Sequence, residues 1–181
     1  MIVKLMGICA CGAAALVLAQ IAAGDSLASR HFEQEKNRDR AVLTSAAAMA
    51  SGAQVAEIAI ERCGPGRQYR AVIKSDGSVA YTGIKAVERV GEFTGTVGAG
   101  AFRELADYAV QISYFDLKCF YRAAAADRPA VYTSVKTGAA EKIIMNYAGK
   151  GPPALESFER KIEEVLGRAE LIRKASAKVN P

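Results

Sequence analysis

The residues of this 181-residue chain that could do chemistry are four cysteines, one histidine and a scatter of carboxylates. Cys9 and Cys11 lie in an apolar amino-terminal stretch, which leaves Cys63 and Cys119 as the thiols of the remaining chain. An even pair in an oxidising compartment favours one bridge, and a Cys63–Cys119 disulfide would stabilise a domain by roughly 3–5 kcal/mol through the loop it closes. The alternative is two separate thiols, buried as small apolar residues. A catalytic cysteine needs a base. The single histidine, His31, falls in a charged segment ahead of the fold signals and reads as a solvated linker residue. The same shortage removes a Ser-His-Asp hydrolase.

Other motifs resolve into turns. Lys136-Thr137-Gly138 reproduces one box of the penicillin-recognising enzymes, but the chain has no Ser-x-x-Lys, so a hairpin turn accounts for it better. Gly91, Gly95, Gly98 and Gly100 match neither the phosphate-binding loop nor the dinucleotide fingerprint, and strand bends and a helix start explain them. There is no Cys-x-x-Cys, no histidine pair and no acidic calcium loop, so no metal or cofactor is expected. Asp76, Glu88 and Asp127 are the carboxylates an enzyme would draw on, with no spacing that marks an acid/base pair.

Hydrophobic patterning supplies the elements that must position these groups. Residues 54–62 alternate, with Ala56, Ile58 and Ile60 on one face. Two further runs, Tyr69 to Lys74 and Ser78 to Thr82, flank Asp76-Gly77, a dipeptide that favours a hairpin because the turn needs positive φ. Tyr69, Ala71 and Ile73 share a face, as do Val79 and Tyr81. Another strand is expected between Ala86 and Val97, bent at Gly91 and Gly95. Ala99 to Ser113 reads as a helix with Phe102, Leu105, Ala106, Ala109 and Ile112 in its apolar stripe. Strands return at Ala130 to Thr137 and Glu141 to Tyr147. A last helix starts near Pro153, burying Leu155, Phe158, Ile162, Leu166 and Ala169 while Glu156, Glu159, Arg160, Lys161 and Glu163 face water. The expected fold is α+β, a mostly antiparallel sheet of five or six strands with two helices packed on it. Tyrosines recur on the strands. Tyr69 and Tyr81 are candidates for a recognition surface, although cross-strand packing is the commoner role.

The amino terminus sets the compartment. An uncharged run from Leu5 to Gly24 behind Lys4 reads as a signal peptide or membrane anchor, with small-residue cleavage sites near Ala22-Ala23-Gly24. A lipidation box at Ile8 to Cys11 is a minor alternative. Arg30, Lys36, Arg38 and Arg40 follow the run and compete with Lys4 in setting orientation. The domain organisation is therefore a leader at 1–24, a linker or loose helix at 25–53, one α+β domain at 54–173 and a tail at 174–181. The net charge of +5 is mild and its lysines and arginines are spread among glutamates, which argues against nucleic acid as a partner. Membrane contact is expected only through the amino-terminal segment.

Along the hairpin the chain resembles a family of exported bacterial domains of unknown function, in the pattern Tyr-x-x-x-Ile-x-x-Asp-Gly-x-Val-x-Tyr-x-Gly made here by Tyr69, Ile73, Asp76, Gly77, Val79, Tyr81 and Gly83. Similar agreement follows at Phe115-Asp116-Leu117, Asp127-x-Pro129, Tyr147-x-Gly149 and around Leu155 and Ile162, so the resemblance covers about residues 54–172. Members of that family commonly carry Cys-x-Gly-x-Cys-Pro-x-Tyr ahead of the hairpin. Here Gly64 fits, but the two cysteine positions hold Arg62 and Gly66, and Cys63 is one place off. The resemblance implies no activity. The expected role is a non-catalytic exported or membrane-tethered domain for binding or structural interaction in the bacterial envelope, with an envelope protein as the candidate partner. The alternatives are an envelope enzyme working through carboxylates and an inhibitor or adaptor of a larger envelope protein.

Overall fold

The structure, a computed structural model, describes residues 26–36, 55–138 and 140–174. The leader at 1–24, the stretch from 37 to 54 and the tail from 175 lie outside the described residues. Among the described residues no helix is long and apolar enough to cross a membrane.

Helix α1 (Leu27–Lys36) precedes β1 (Val55–Cys63), β2 (Gln68–Lys74), β3 (Ser78–Lys85), β4 (Gly91–Thr96), α2 (Ala99–Gln111), a 3-10 turn (Tyr114–Asp116), β5 (Phe120–Tyr121), β6 (Ala130–Thr137), β7 (Glu141–Tyr147), α3 (Pro153–Gly167) and β8 (Glu170–Arg173). The fold is α+β, and its strands form one sheet in the order β5-β7-β6-β1-β2-β3-β4-β8. Every neighbouring pair is antiparallel except β5 with β7. Eight strands replace the expected five or six. The additions are β5 and β8, whose two and four residues are too short to display a period and which exist because β7 and β4 offer them edges.

Alternation along β1 separates two faces. Ile58 and Ile60 enter the main core with Tyr69, Ala71, Ile73, Val79 and Val135, under Phe102 and Leu105 of α2 and Leu155, Phe158 and Ile162 of α3. Phe158 packs edge-on to Tyr114 at 5.5 Å between ring centroids, and the Tyr114 hydroxyl lies 2.8 Å from Thr133 Oγ1, so this fully buried hydroxyl is satisfied. Ala59 points the other way, with Ile143, beneath Leu27 of α1.

That second face corrects the reading of His31 as a solvated residue. It is 6 % exposed, its Nε2 lies 2.9 Å from the Cys119 carbonyl oxygen, and its ring packs against Phe120 and Tyr132. Helix α1 is fixed to the sheet largely by polar bonds. The Leu27 N–H donates to Glu61, Arg30 forms an ion pair with Glu141, and the Gln34 side chain donates to the Glu141 carbonyl while accepting from the Ile143 N–H.

The expected Cys63–Cys119 bridge is absent; both residues are unbridged thiols. Cys63 ends β1 opposite Ala130 of β6, whereas Cys119 runs into β5 and its carbonyl accepts from Met145 of β7. With β6 and β7 between them, the two backbones are about 14 Å apart at ordinary strand spacing, twice the Cα separation a disulfide spans.

Candidate functional site

Tyr69, Tyr81 and Glu163 meet where the inner face of the sheet runs out beneath the carboxyl end of α3. Register across the sheet aligns Arg62 of β1 with Tyr69 of β2, and Tyr81 of β3 with Phe93 of β4 and Arg173 of β8. The rings of Tyr69 and Tyr81 stack at 5.7 Å and 20°, Phe93 meets Tyr81 edge-on at 6.1 Å, and the Arg173 guanidinium lies over Phe93 at 5.7 Å. An aromatic row therefore crosses three strands and carries an arginine at each end. Cross-strand aromatic pairs of this kind contribute roughly 0.2–1 kcal/mol apiece.

Helix α3 supplies the acid. Glu163 Oε1 accepts from Arg62 Nε at 2.5 Å and from the Tyr69 hydroxyl at 2.6 Å, and Oε2 accepts from Arg67 Nη2 at 3.3 Å. Burial works against the Glu163 charge, but the Tyr69 hydroxyl and the Arg62 guanidinium outweigh it and hold the carboxyl below its usual range. Burial, together with the neighbouring carboxylate, pushes the Tyr69 phenol far above the ordinary tyrosine range. The result is a locked charge cluster: Glu163 stays ionised and Tyr69 stays protonated. Arg62 stands at a position where the resembled family pattern carries a cysteine, so this chain makes an ion pair there.

Beside the cluster is a cleft of about 330 Å³. Tyr69, Tyr81, Val87, Leu166 and Leu171 form its apolar walls, and Arg67, Arg89, Glu88 and Glu163 its polar ones. Its floor depends on a close approach. The bend 86–89 folds down onto Gly83, where an added Cβ would come within 1.7 Å of the Arg89 carbonyl oxygen. Gly83 thus permits the bend that carries Arg89 to the site.

Among the residues singled out from sequence, Tyr69 is 4 % exposed and Tyr81 half-buried, so they form a cleft wall rather than an open surface. Asp76 and Gly77 make the hairpin turn. The Gly77 N–H donates to the Lys74 carbonyl at φ +81°, and Asp76 Oδ1 accepts from the Ser78 N–H at 2.8 Å. That turn is at the far end of β3 from the cleft, about 25 Å from Glu88 at ordinary strand rise. Asp127 lies in the exposed loop before β6. The three carboxylates named as an enzyme's resources are not brought together.

Two acids of α3 depart from their expected orientation toward water. Glu163 is in the cluster, and Glu159 is 6 % exposed, its Oε1 accepting from Asn146 Nδ2 at 2.9 Å. Burial raises the Glu159 carboxyl to about 7, against the Asn146 hydrogen bond and the attraction of Arg62. The spacing 155, 159, 162, 166 is itself helical, so position 159 could have been read as part of the apolar stripe. For Arg62 with Glu163, 101 residues apart, no local signal exists.

Replacing Glu163 by glutamine is expected to destabilise the domain by roughly 1–3 kcal/mol near neutral pH, because Arg62 loses its charged partner while half-buried. Since the Glu163 carboxyl is depressed in the folded state, the deficit should close as pH falls through its folded value, which urea unfolding at pH 7 and pH 3 would show.

Residues 61–166 match the family described as Domain of unknown function (DUF6438). No curated protein and no solved structure matches the chain.

Proposed function

The chain belongs to this family of domains of unknown function, and from that premise and the cleft we propose that it is a non-catalytic binding domain, exported or membrane-tethered in the bacterial envelope. The apolar run Leu5 to Gly24 supports the address. The observation that supports this reading is the bonding of Glu163, which accepts from Arg62, Tyr69 and Arg67 beside a cleft of ligand size. Pockets for small ligands run from about 300 to 1,000 Å³ and combine apolar walls with a few convergent polar groups, and the cleft beside Tyr81 has both. A general acid or base must change its protonation at the working pH. Glu163 is held ionised by two close donors, so it orders the wall and does not trade protons.

The test uses the full chain and its Arg89→Glu variant as matched baits on bacterial envelope extracts. A component retained by the parent and lost at least tenfold with the variant, whose near-ultraviolet circular dichroism is unchanged, is the expected result. No retained component, or equal retention by both, overturns the binding reading. Fractionation that finds the uncleaved chain free in the cytosol overturns the address.

A further inference from the structure

We infer that the ligand of this cleft presents a carboxylate to Arg67 and Arg89, with an apolar body laid against Tyr81. The inference rests on the binding reading above and goes further, to the chemistry of what is bound.

Donor and acceptor capacity decides the sign of the ligand. Glu163 accepts three bonds from protein groups, two of them at 2.6 Å or less, so the acceptor facing the cleft is already engaged. The donors are not. A guanidinium carries five N–H groups. Arg67 makes one long bond of 3.3 Å with a side chain 57 % exposed, and Arg89, half-buried in the wall, makes no hydrogen bond among the described residues. The unused capacity of the cleft is thus planar, cationic and donating, the complement of a carboxylate held bidentately. Glu88 and Arg67 both border the cleft where water and salt screen their charges, so the half-buried Arg89 is the donor that screening weakens least.

The walls decide the rest. Tyr81 is half-buried and backed by Tyr69 and Phe93, which fix its ring, and Val87 and Leu171 stand half-buried beside it. A small polar anion would leave this apolar surface facing trapped water. A carboxylate with a hydrophobic group next to it covers the wall and meets the two arginines together. The free carboxyl end of a peptide chain with a large apolar last residue has this chemistry, and so does a small aryl or alkyl carboxylic acid.

The experiment records amide NMR shifts of the full chain in detergent micelles with three probes: acetyl-Gly-Gly-Phe with a free carboxylate, the same peptide as its carboxamide, and 3-phenylpropionate. The expected result is saturable shifts confined to Arg67, the 86–89 bend and Leu171 with a carboxylate probe, at least tenfold weaker binding of the carboxamide, and a comparable loss with Arg89→Gln. Preference for the peptide acid over 3-phenylpropionate assigns the carboxylate to a chain end; equal affinity assigns it to a small acid. If the carboxamide binds as tightly as the acid, the carboxylate inference is overturned while the cleft remains a binding site. If no probe shifts these amides at tens of millimolar, inference and binding reading both fall.

Discussion

Alanine at Gly83 is expected to destabilise the domain by about 3 kcal/mol or more and to abolish whatever the cleft binds. The new Cβ would stand 1.7 Å from the Arg89 carbonyl oxygen and 2.9 Å from both the Arg89 carbonyl carbon and Val87 Cγ2. Two of these three atoms are backbone, so no rotamer change relieves the clash. Either β3 shifts in its pairing with β2 and β4, or the 86–89 bend lifts away and takes Arg89 with it. Gly100, inside α2, is the control, because an added Cβ there meets nothing within 4 Å. Chemical denaturation of both variants checks the prediction: Gly100→Ala should not lower the midpoint, and an equally small effect for Gly83→Ala would refute the close approach.

Glutamine at Glu159 should act in the opposite direction and only in one pH range. The Glu159 carboxyl titrates near 7 in the folded protein and near 4.5 when unfolded. Between those values the folded state binds a proton that the unfolded state has released, so stability declines as pH rises from 4.5 to 7 and the full penalty persists above. The separation corresponds to about 3 kcal/mol at pH 8, with the attraction of Arg62 already counted in the folded value. Glu159→Gln removes the penalty and keeps an amide facing Asn146, so the variant should melt roughly 10 °C higher at pH 8 and match the parent at pH 4. Equal gains at both pH values would show that the effect is packing and not ionisation. Glu159 and Glu163 thus lie one turn apart on α3 with opposite pH signatures, one buried against an amide and the other seated between a phenol and guanidinium groups.

The contrast between these two acids shows where sequence patterning stops. Hydrophobic patterning located strands β1 to β3, both strands of the β6–β7 hairpin, and helices α2 and α3, because each buries apolar residues in a repeating pattern, whereas β4, with no buried residue, was bracketed only within 86–97. The turn at Asp76-Gly77 was equally legible, since its φ requirement is local. Helix α1 was not. Among Leu27 to Glu35 the buried residues are Leu27 and His31, and the bonds of Leu27, Arg30 and Gln34 reach partners 34 to 111 residues away. Strand β8 has Ile172 74 % exposed, so its position comes from pairing with β4, where Gly95 leaves room for the Glu170 carbonyl. The site fell in the same gap. Tyr69 and Tyr81 were visible as a shared face of a hairpin, whereas Arg67, Arg89 and Glu163 are ordinary surface residues until the chain closes. Treating every charged position of α3 as solvent-facing missed that this helix lies across the middle of the sheet, with six of its positions covered.

Strand β1 lies between β2, which follows it at once, and β6, which begins only at Ala130. A ribosome or a translocation pore that delivers the amino terminus first therefore releases β1 with one side hydrogen-bonded and the other open. The oily face of the nascent meander is also only partly covered, by α2, until Pro153–Gly167 has emerged. During that interval an open strand edge and an uncovered apolar surface invite self-association. A holding chaperone that keeps the chain apart until its last helix arrives would relieve a hazard written into the order of the strands.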